Sequence, residues 1–410
     1  MIIIRTVFFI YFSLLGVSSW AIEIPERARD LGIPFDGQPG KLNAITDVKG
    51  VEVGQVTLRE GDGKLKVGTG PIRTGVTAIH PRGKNSTDPV FAGWFTLNAS
   101  GEMTGTTWLE ERGLIEGPIS ITNTHSVGVV RDSAVAWMVD HNWPAIWHAP
   151  VVGETFDGGL NDINGFHVTK AHALKAMSTA SQGPVQEGVV GGGTGMVCNG
   201  VKGGIGTSSR VINALGKTFT VGVLVQCNYN WDGDDLRIGG QKMAGLIPLG
   251  EHCFTDRSIE RHVNWYPYCS PNTQAKSKQD LIEASTRDGS IIIVIATDAP
   301  LLPHQLMRLA KRPSLGLGRL GAVSGDGSGD IFVAFSTANA KLIDENDSSE
   351  VRMYPNNQLT GIFQAAVHAT EEAIVNAMVG AETVIGASGL RVKAVDKAQL
   401  RSLFSTEAEQ

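Results

Sequence analysis

The sequence predicts a mixed fold of the α+β kind, and three observations carry that prediction. Residues 291–296 form an unbroken apolar run with five β-branched residues, which is how a strand buried on both faces reads. Residues 357–380 place Leu359, Ile362, Phe363, Ala366 and Val367 on one helical stripe. The 410-residue chain is 42% hydrophobic and 19% charged, a globular composition with ample core. Its length allows two or three domains, although a large sandwich of sheets and helices can be a single unit. A net charge of −6 gives no support to nucleic-acid binding.

Taken in order, the chain before residue 290 reads mainly as strands. Residues 44–56 alternate around Gly50 and predict strand, turn, strand. Residues 76–80, 90–97 and 119–124 predict further strands, the last leading through His125 into a helix over 130–139. Residues 150–154 end a strand on Glu154, which puts a carboxylate at a strand tip, and 167–178 predict a helix. The glycine-dense residues 188–206 fit neither G-x-x-x-x-G-K-[ST] nor G-x-G-x-x-G, so they predict no nucleotide site. Backbone packed close to a reaction centre, or simple turns, reads better. Residues 218–226 predict a strand with Val221, Val223 and Val225 on one face, ending at Asn228 and Tyr229. Residues 250–288 turn polar and read as an exposed linker running into Gly289 and Ser290. Beyond the 291–296 strand, 303–311 predict a helix, 325–330 a loop and 331–335 a strand.

The N-terminus reads as an export signal. Arg5 precedes a short apolar stretch over 6–17, and Ser19-Trp20-Ala21 puts small residues at −3 and −1 of a cut after Ala21. No later segment has the length and apolarity of a transmembrane helix, so the mature chain is expected to be exported, periplasmic or secreted, and off the membrane. Cys253 and Cys269 share one polar stretch and can bridge, whereas Cys198 and Cys227 lie in apolar contexts and read as buried small hydrophobes. No Cys/His spacing matches a zinc site, and no metal or organic cofactor is expected. His125 and His304 invite a Ser-His-Asp reading, but no G-x-S-x-G elbow exists: Ser324 and Ser328 lack the spacing.

Ser290 sits where the Asp288-Gly289 turn signal meets the apolar run. By itself this is a plain turn into a core strand. If the Gly289–Ser290 bond were cut, however, Ser290 would carry both a hydroxyl and a free α-amine. A hydroxyl is a weak nucleophile until a base takes its proton, and a neighbouring terminal amine can be that base. A core strand would hold both groups on a rigid element.

Six segments carry a resemblance. They are Asp-Val-Lys-Gly-Val-Glu-Val-Gly (47–54), Gly-Glu-Met-Thr-Gly-Thr-Thr (101–107), Ile-Thr-Asn-Thr-His-Ser-Val-Gly-Val-Val-Arg (121–131), Lys-Gly-Gly-Ile-Gly-Thr-Ser-Ser-Arg (202–210), Ala-Thr-Asp-Ala-Pro-Leu-Leu-Pro-His-Gln-Leu (296–306) and Ser-Gly-Asp-Ile-Phe-Val-Ala-Phe-Ser-Thr-Ala-Asn (328–339). Together they resemble the L-aminopeptidase/D-amidase-esterase (DmpA) family, which includes the β-peptidyl aminopeptidases, from about residue 28 to residue 390. The resemblance implies a four-layer αββα sandwich, similar to Ntn hydrolases but with the connectivity shared with ornithine acetyltransferases. It implies a precursor that cuts itself at Gly289–Ser290 after loss of residues 1–21. Residues 22–289 would form an α subunit and 290–410 a β subunit of one catalytic unit, assembled as a homo-oligomer of αβ pairs.

By the same resemblance Ser290 would be the nucleophile. Ser328 and Asp330 match a Ser-Gly-acid motif that orients it and manages its proton. Asn228 matches an asparagine of the oxyanion hole, and Glu154 an acid that meets the substrate's free amine. Phe156 stands where some members have a tyrosine whose hydroxyl lies near the site. The substrate would be a small peptide, amide or ester with a free amine, opened through an acyl-enzyme. Two other classes fit the same residues. One is acyl transfer of the ornithine acetyltransferase kind, whose members use threonine. The other is an uncut binding protein that keeps the fold.

Overall fold

The computed structural model of the chain describes residues 26–270, 289–342 and 348–405. Its main elements are β1 (Glu52–Glu60), β2 (Ile72–His80), β3 (Val90–Ala99), β4 (Ile119–Asn123), α1 (Val127–Asp140), β5 (Val151–Thr155), α2 (Lys170–Ser178), β6 (Gly204–Ala214) and β7 (Lys217–Asn228). They continue with β8 (Ser290–Thr297), α3 (Pro303–Ala310), α4 (Pro313–Arg319), β9 (Gly329–Ser336) and α5 (Thr360–Val379). One sheet runs β1-β2-β4-β5; the other runs from the short strand Leu114–Ile115 through β3-β9-β8-β7-β6.

Side-chain alternation stacks these elements into layers. Along β8, Ile292, Val294 and Ala296 face the first sheet, meeting Ile79, Ile121 and Val151. Ile291, Ile293 and Ile295 face the opposite way, onto Leu306, Leu309 and the α5 residues Ala366, Ala369 and Ala373. The far side of the first sheet buries Val76, Ala78 and Val152 under Val130, Ala134 and Met138 of α1 and Ala173 of α2. Helices, sheet, sheet, helices is the four-layer αββα order. Because β8 is apolar on both faces, it can only sit inside this stack. Burying its five large side chains contributes roughly 8–15 kcal/mol before chain entropy is subtracted, enough to hold Ser290 at its head firmly.

Several expectations need correction. Residues 44–49 hold a 3₁₀ turn, Ile45–Asp47, and no strand, because Asp47 Oδ1 and Oδ2 accept the backbone N–H groups of Leu42 and Ala44 and stop an extended run. Gly329 and Asp330 belong to β9 rather than to a loop. Cys198 and Cys227 are not free: they form a disulfide, since the Asn199 N–H bonds the Tyr229 carbonyl at 2.8 Å and brings the two cysteines together. The polar stretch from 250 is folded, not an exposed linker, as far as residue 270. Cys253–Phe254 pairs with Leu390–Val392, Cys253 and Cys269 form a second disulfide, and Phe254 and Tyr266 are buried. Its remainder, 271–288, and the export signal lie outside the described residues.

Glu372 on α5 is fully buried and joins three parts of the chain. Its oxygens take Arg29 Nε and Nη2 at 2.8 Å, Arg210 Nη2 at 2.7 Å and Asn43 Nδ2 at 2.5 Å. Burial works against its charge, but Arg29, Arg210 and Asn43 outweigh it and hold the carboxyl below its ordinary value. Glu372→Ala would leave the buried Arg210 guanidinium without its counter-ion, so urea unfolding should show a loss of about 3–5 kcal/mol.

Candidate active site

The site is built where three strands meet. Ser290 opens β8, pairing antiparallel with Asn228 at the end of β7 and parallel with Gly329 at the start of β9. The Gly329 N–H lies 3.2 Å from Ser290 Oγ and 3.1 Å from the Gly289 carbonyl oxygen. A single donor thus faces both the hydroxyl and the carbonyl of the preceding peptide bond. Gly329 has to be glycine: a Cβ there would lie 2.5 Å from the Ser100 carbonyl oxygen and 2.9 Å from Gly101 Cα. Gly289 has φ +151°, and a Cβ there would lie 2.2 Å from the Asn228 carbonyl oxygen.

Strand alternation sorts the other candidates by face. Asn228 shares the inter-sheet face with Ser290. Its Oδ1 accepts the Val197 N–H at 2.8 Å, and its Nδ2 donates to the Phe156 carbonyl at 2.8 Å, so the amide orientation is set by two backbone groups. Ser328 and Asp330 flank Gly329 and so point to the opposite, helix-side face. There they are buried and joined, Ser328 Oγ donating to Asp330 Oδ1 at 2.7 Å.

Glu154 enters from the first sheet, at the β5 tip. It is buried, with Oε1 accepting the Glu102 N–H at 2.9 Å and Oε2 accepting Thr124 Oγ1 at 2.5 Å. Burial pushes its carboxyl above the ordinary range, and those two donors only partly offset the push. The Ser100–Gly101 turn separates Glu154 from the nucleophile candidate. A Cβ on Gly101 would sit 3.1 Å from Glu154 Oε1 and 3.2 Å from Gly329 Cα. The Glu154 carboxylate and the Gly329 backbone beside the Ser290 hydroxyl therefore both abut the Ser100–Gly101 turn. Phe156 lies two residues beyond Glu154, its ring against Trp231 and Trp265.

Neither candidate histidine bonds Ser290 among the described residues. His304 is exposed at the start of α3, and His125 stacks on Phe166 not far from Glu154. Asp298 accepts the Thr220 N–H at 2.7 Å, a structural bond between β8 and β7. Sequence reasoning missed the Gly329 N–H, because a backbone donor has no residue signature. It also missed Lys202, which is fully buried and gives its Nζ hydrogens to the Met196 and Gly203 carbonyls at 2.6 and 2.7 Å. These bonds brace the loop that presents Val197 to Asn228. Burial lowers this ammonium well below its ordinary value.

A four-layer αββα sandwich with a hydroxyl at the head of a central strand, beside a backbone N–H, defines the Ntn-hydrolase-like class. Within it, the chain belongs to peptidase family S58, whose family description matches residues 43–392. It is 55% identical over 382 residues to the β-peptidyl aminopeptidase BapA of Sphingosinicella microcystinivorans, covering 92% of this chain and 91% of that one. It is 43% identical over 404 residues to BapA of Sphingosinicella xenopeptidilytica, covering 95% and 94%. Among solved structures it resembles the L-aminopeptidase D-Ala-esterase/amidase of Ochrobactrum anthropi, described as a prototype serine aminopeptidase and a new variant of the Ntn hydrolase fold. That match has TM-score 0.78, 44% identity, and covers 93% of this chain and 99% of the other.

Asp157 lies directly behind Phe156 and is fully buried, with Asn123 Nδ2 and Asn161 Nδ2 at 2.9 and 3.1 Å and no cationic partner among the described residues. Burial pushes its carboxyl up to about 6, against the pull of Thr74, Asn123 and Asn161. Its folded value is thus raised above the unfolded one. The stability this gives is complete below the unfolded value, near 4, and is lost as pH rises through about 6. Asp157→Asn removes the titration. The variant's stability relative to wild type should therefore improve by roughly 3 kcal/mol between about pH 4 and about pH 7, measured by urea unfolding at both.

Proposed function

We propose that the chain is a self-cleaving serine aminopeptidase that releases N-terminal residues from peptides, amides or esters through an acyl-enzyme on Ser290. The observation that carries this reading is the Gly329 N–H, within bonding distance of both Ser290 Oγ and the Gly289 carbonyl oxygen. Self-cleavage begins when Oγ attacks the Gly289 carbonyl carbon and the developing oxyanion draws on that N–H. The C–N bond breaks, the acyl group shifts to Oγ as an ester, and the nitrogen takes the hydroxyl proton and leaves as the Ser290 α-amine. Water then hydrolyses the ester, leaving Gly289 as a carboxylate.

In turnover the freed amine takes the hydroxyl proton as Oγ attacks the substrate's first carbonyl. The oxyanion is held by the Gly329 N–H and Asn228 Nδ2, each donor worth roughly 3–4 kcal/mol where well placed. The leaving amine picks up the proton, and water releases the acyl residue. Ser328 and Asp330, on the reverse face of β9, position Gly329 and the head of β8. Glu154 holds the substrate's ammonium, which restricts cleavage to the first residue. The crowding at Gly289 favours an acyl residue with an unsubstituted carbon next to its carbonyl. A β-residue has one, in keeping with the names of the two BapA relatives. The apolar stretch at 6–17 and the two disulfides support export to an oxidising compartment, periplasmic or external. The mature form is then an assembly of αβ units.

Amides of a β-residue with a free amine should be hydrolysed, and their N-acetylated counterparts should not. Because burial raises the Glu154 carboxyl, kcat/KM should fall with decreasing pH in a window above the usual carboxylate range. Glu154→Gln should lose this acid limb and lower kcat/KM by about 30- to 100-fold, the loss of one charge-assisted bond. Equal hydrolysis of blocked and free amides would refute the aminopeptidase reading.

A further inference from the structure

Three aromatic rings from separate segments meet beside the cleavage point. The Phe156 and Trp231 rings lie 6.5 Å apart at 25°, Phe156 and Trp265 6.2 Å apart at 61°, and Trp231 and Trp265 5.4 Å apart at 54°. Each is only partly buried, so the cluster is a wall and not a sealed core. Two of the rings are tied to Asn228: the Phe156 carbonyl accepts its Nδ2, and Trp231 Nε1 donates to its backbone carbonyl at 3.4 Å.

The wall also has a defined relation to the bond that would be cut. Gly289 supplies the acyl side of that bond, the part a substrate's first residue replaces in turnover. A Cβ built on Gly289 would meet the Asn228 carbonyl oxygen at 2.2 Å, Tyr229 Cα at 2.7 Å and Trp231 Nε1 at 3.0 Å, so the rings lie just beyond the backbone there.

The third ring comes from the folded stretch that reads as a linker in sequence. Trp265 lies inside the loop closed by the Cys253–Cys269 disulfide. The loop is pinned further by the Phe254 N–H to the Pro267 carbonyl and the Cys269 N–H to the Phe254 carbonyl, both at 2.9 Å. A long polar excursion is thus stapled so as to deliver one indole to this place.

We infer that Phe156, Trp231 and Trp265 form the subsite for the first residue's side chain, and that the disulfide-closed loop, through Trp265, selects large apolar side chains, aliphatic or aromatic. This rests on the aminopeptidase reading above. Rings that stack and shed water on contact favour flat or branched apolar groups.

The test compares 4-nitroanilides of β-alanine, which has no side chain, with those of β-homoleucine and β-homophenylalanine, in wild type, Trp265→Ala and Trp265→Phe. Trp265→Ala should lower kcat/KM for the two large residues by about tenfold or more while leaving β-alanine within about threefold, and Trp265→Phe should restore the preference, as loss and return of one aromatic contact predict. An unchanged ratio of large to small in Trp265→Ala overturns the subsite. Free β-homoleucine, which cannot be turned over, should quench tryptophan emission in wild type, with affinity about tenfold weaker in Trp265→Ala. If wild type hydrolyses none of the amides yet this quenching behaves as stated, the aminopeptidase reading fails and the subsite stands. If neither the ratio nor the quenching responds to Trp265, the subsite falls whatever the activity.

Discussion

The hydrogen-bonded junction of β8 with β7 and β9 is the constraint on which the site depends. It sets Ser290 between Asn228 and Gly329, and it decides which face each neighbour presents. A slip of one residue in either pairing would turn Ser290 toward the helices, because side chains alternate strictly along a strand. Such a slip would carry the polar Ser290 into the apolar layer beside the helices. The even and odd residues of the apolar run behind Ser290 fill two different cores, one against the first sheet and one against α3 and α5. Core packing and the placement of the hydroxyl are therefore one property of the chain.

The same junction explains how a chain cut at Gly289–Ser290 would keep its shape. The segment before the cut contributes β3 and β7, and the segment after it contributes β8 and β9, interleaved in one sheet. Ion pairs cross the same divide: Arg210 and Glu372 meet fully buried, Arg29 joins Glu372 from a half-buried position, and Arg319 meets Glu371 and, at the surface, Asp36. Cleavage would remove one covalent bond from a surface held by sheet hydrogen bonds, a shared core and these charges.

Much of this was legible in the sequence, for physical reasons. A doubly buried strand needs an uninterrupted β-branched run, so β8 and the position of Ser290 stand out. Glu154 and Asn228 were visible as polar residues closing apolar strands. Other parts left no mark. The Gly329 N–H is a backbone group. The Cys198–Cys227 bridge joins residues 29 apart whose apolar surroundings suit free thiols equally well. Residues 250–270 look like a linker because their apolar residues are few, yet each is used: Phe254 and Tyr266 in a small core, Trp265 at the wall. The turn at Ile45–Asp47 was hidden because one aspartate, by accepting two backbone N–H groups, overrides a strand-like alternation.

The denaturing intact mass of the purified protein, with N-terminal sequencing of any smaller fragment and Ser290→Ala alongside, tests the central claim most directly. The account predicts two chains from the wild type, the smaller beginning Ser-Ile-Ile-Ile, and one uncut chain from the variant. A wild type that stays a single uncut chain over days, while still hydrolysing amides, would contradict it.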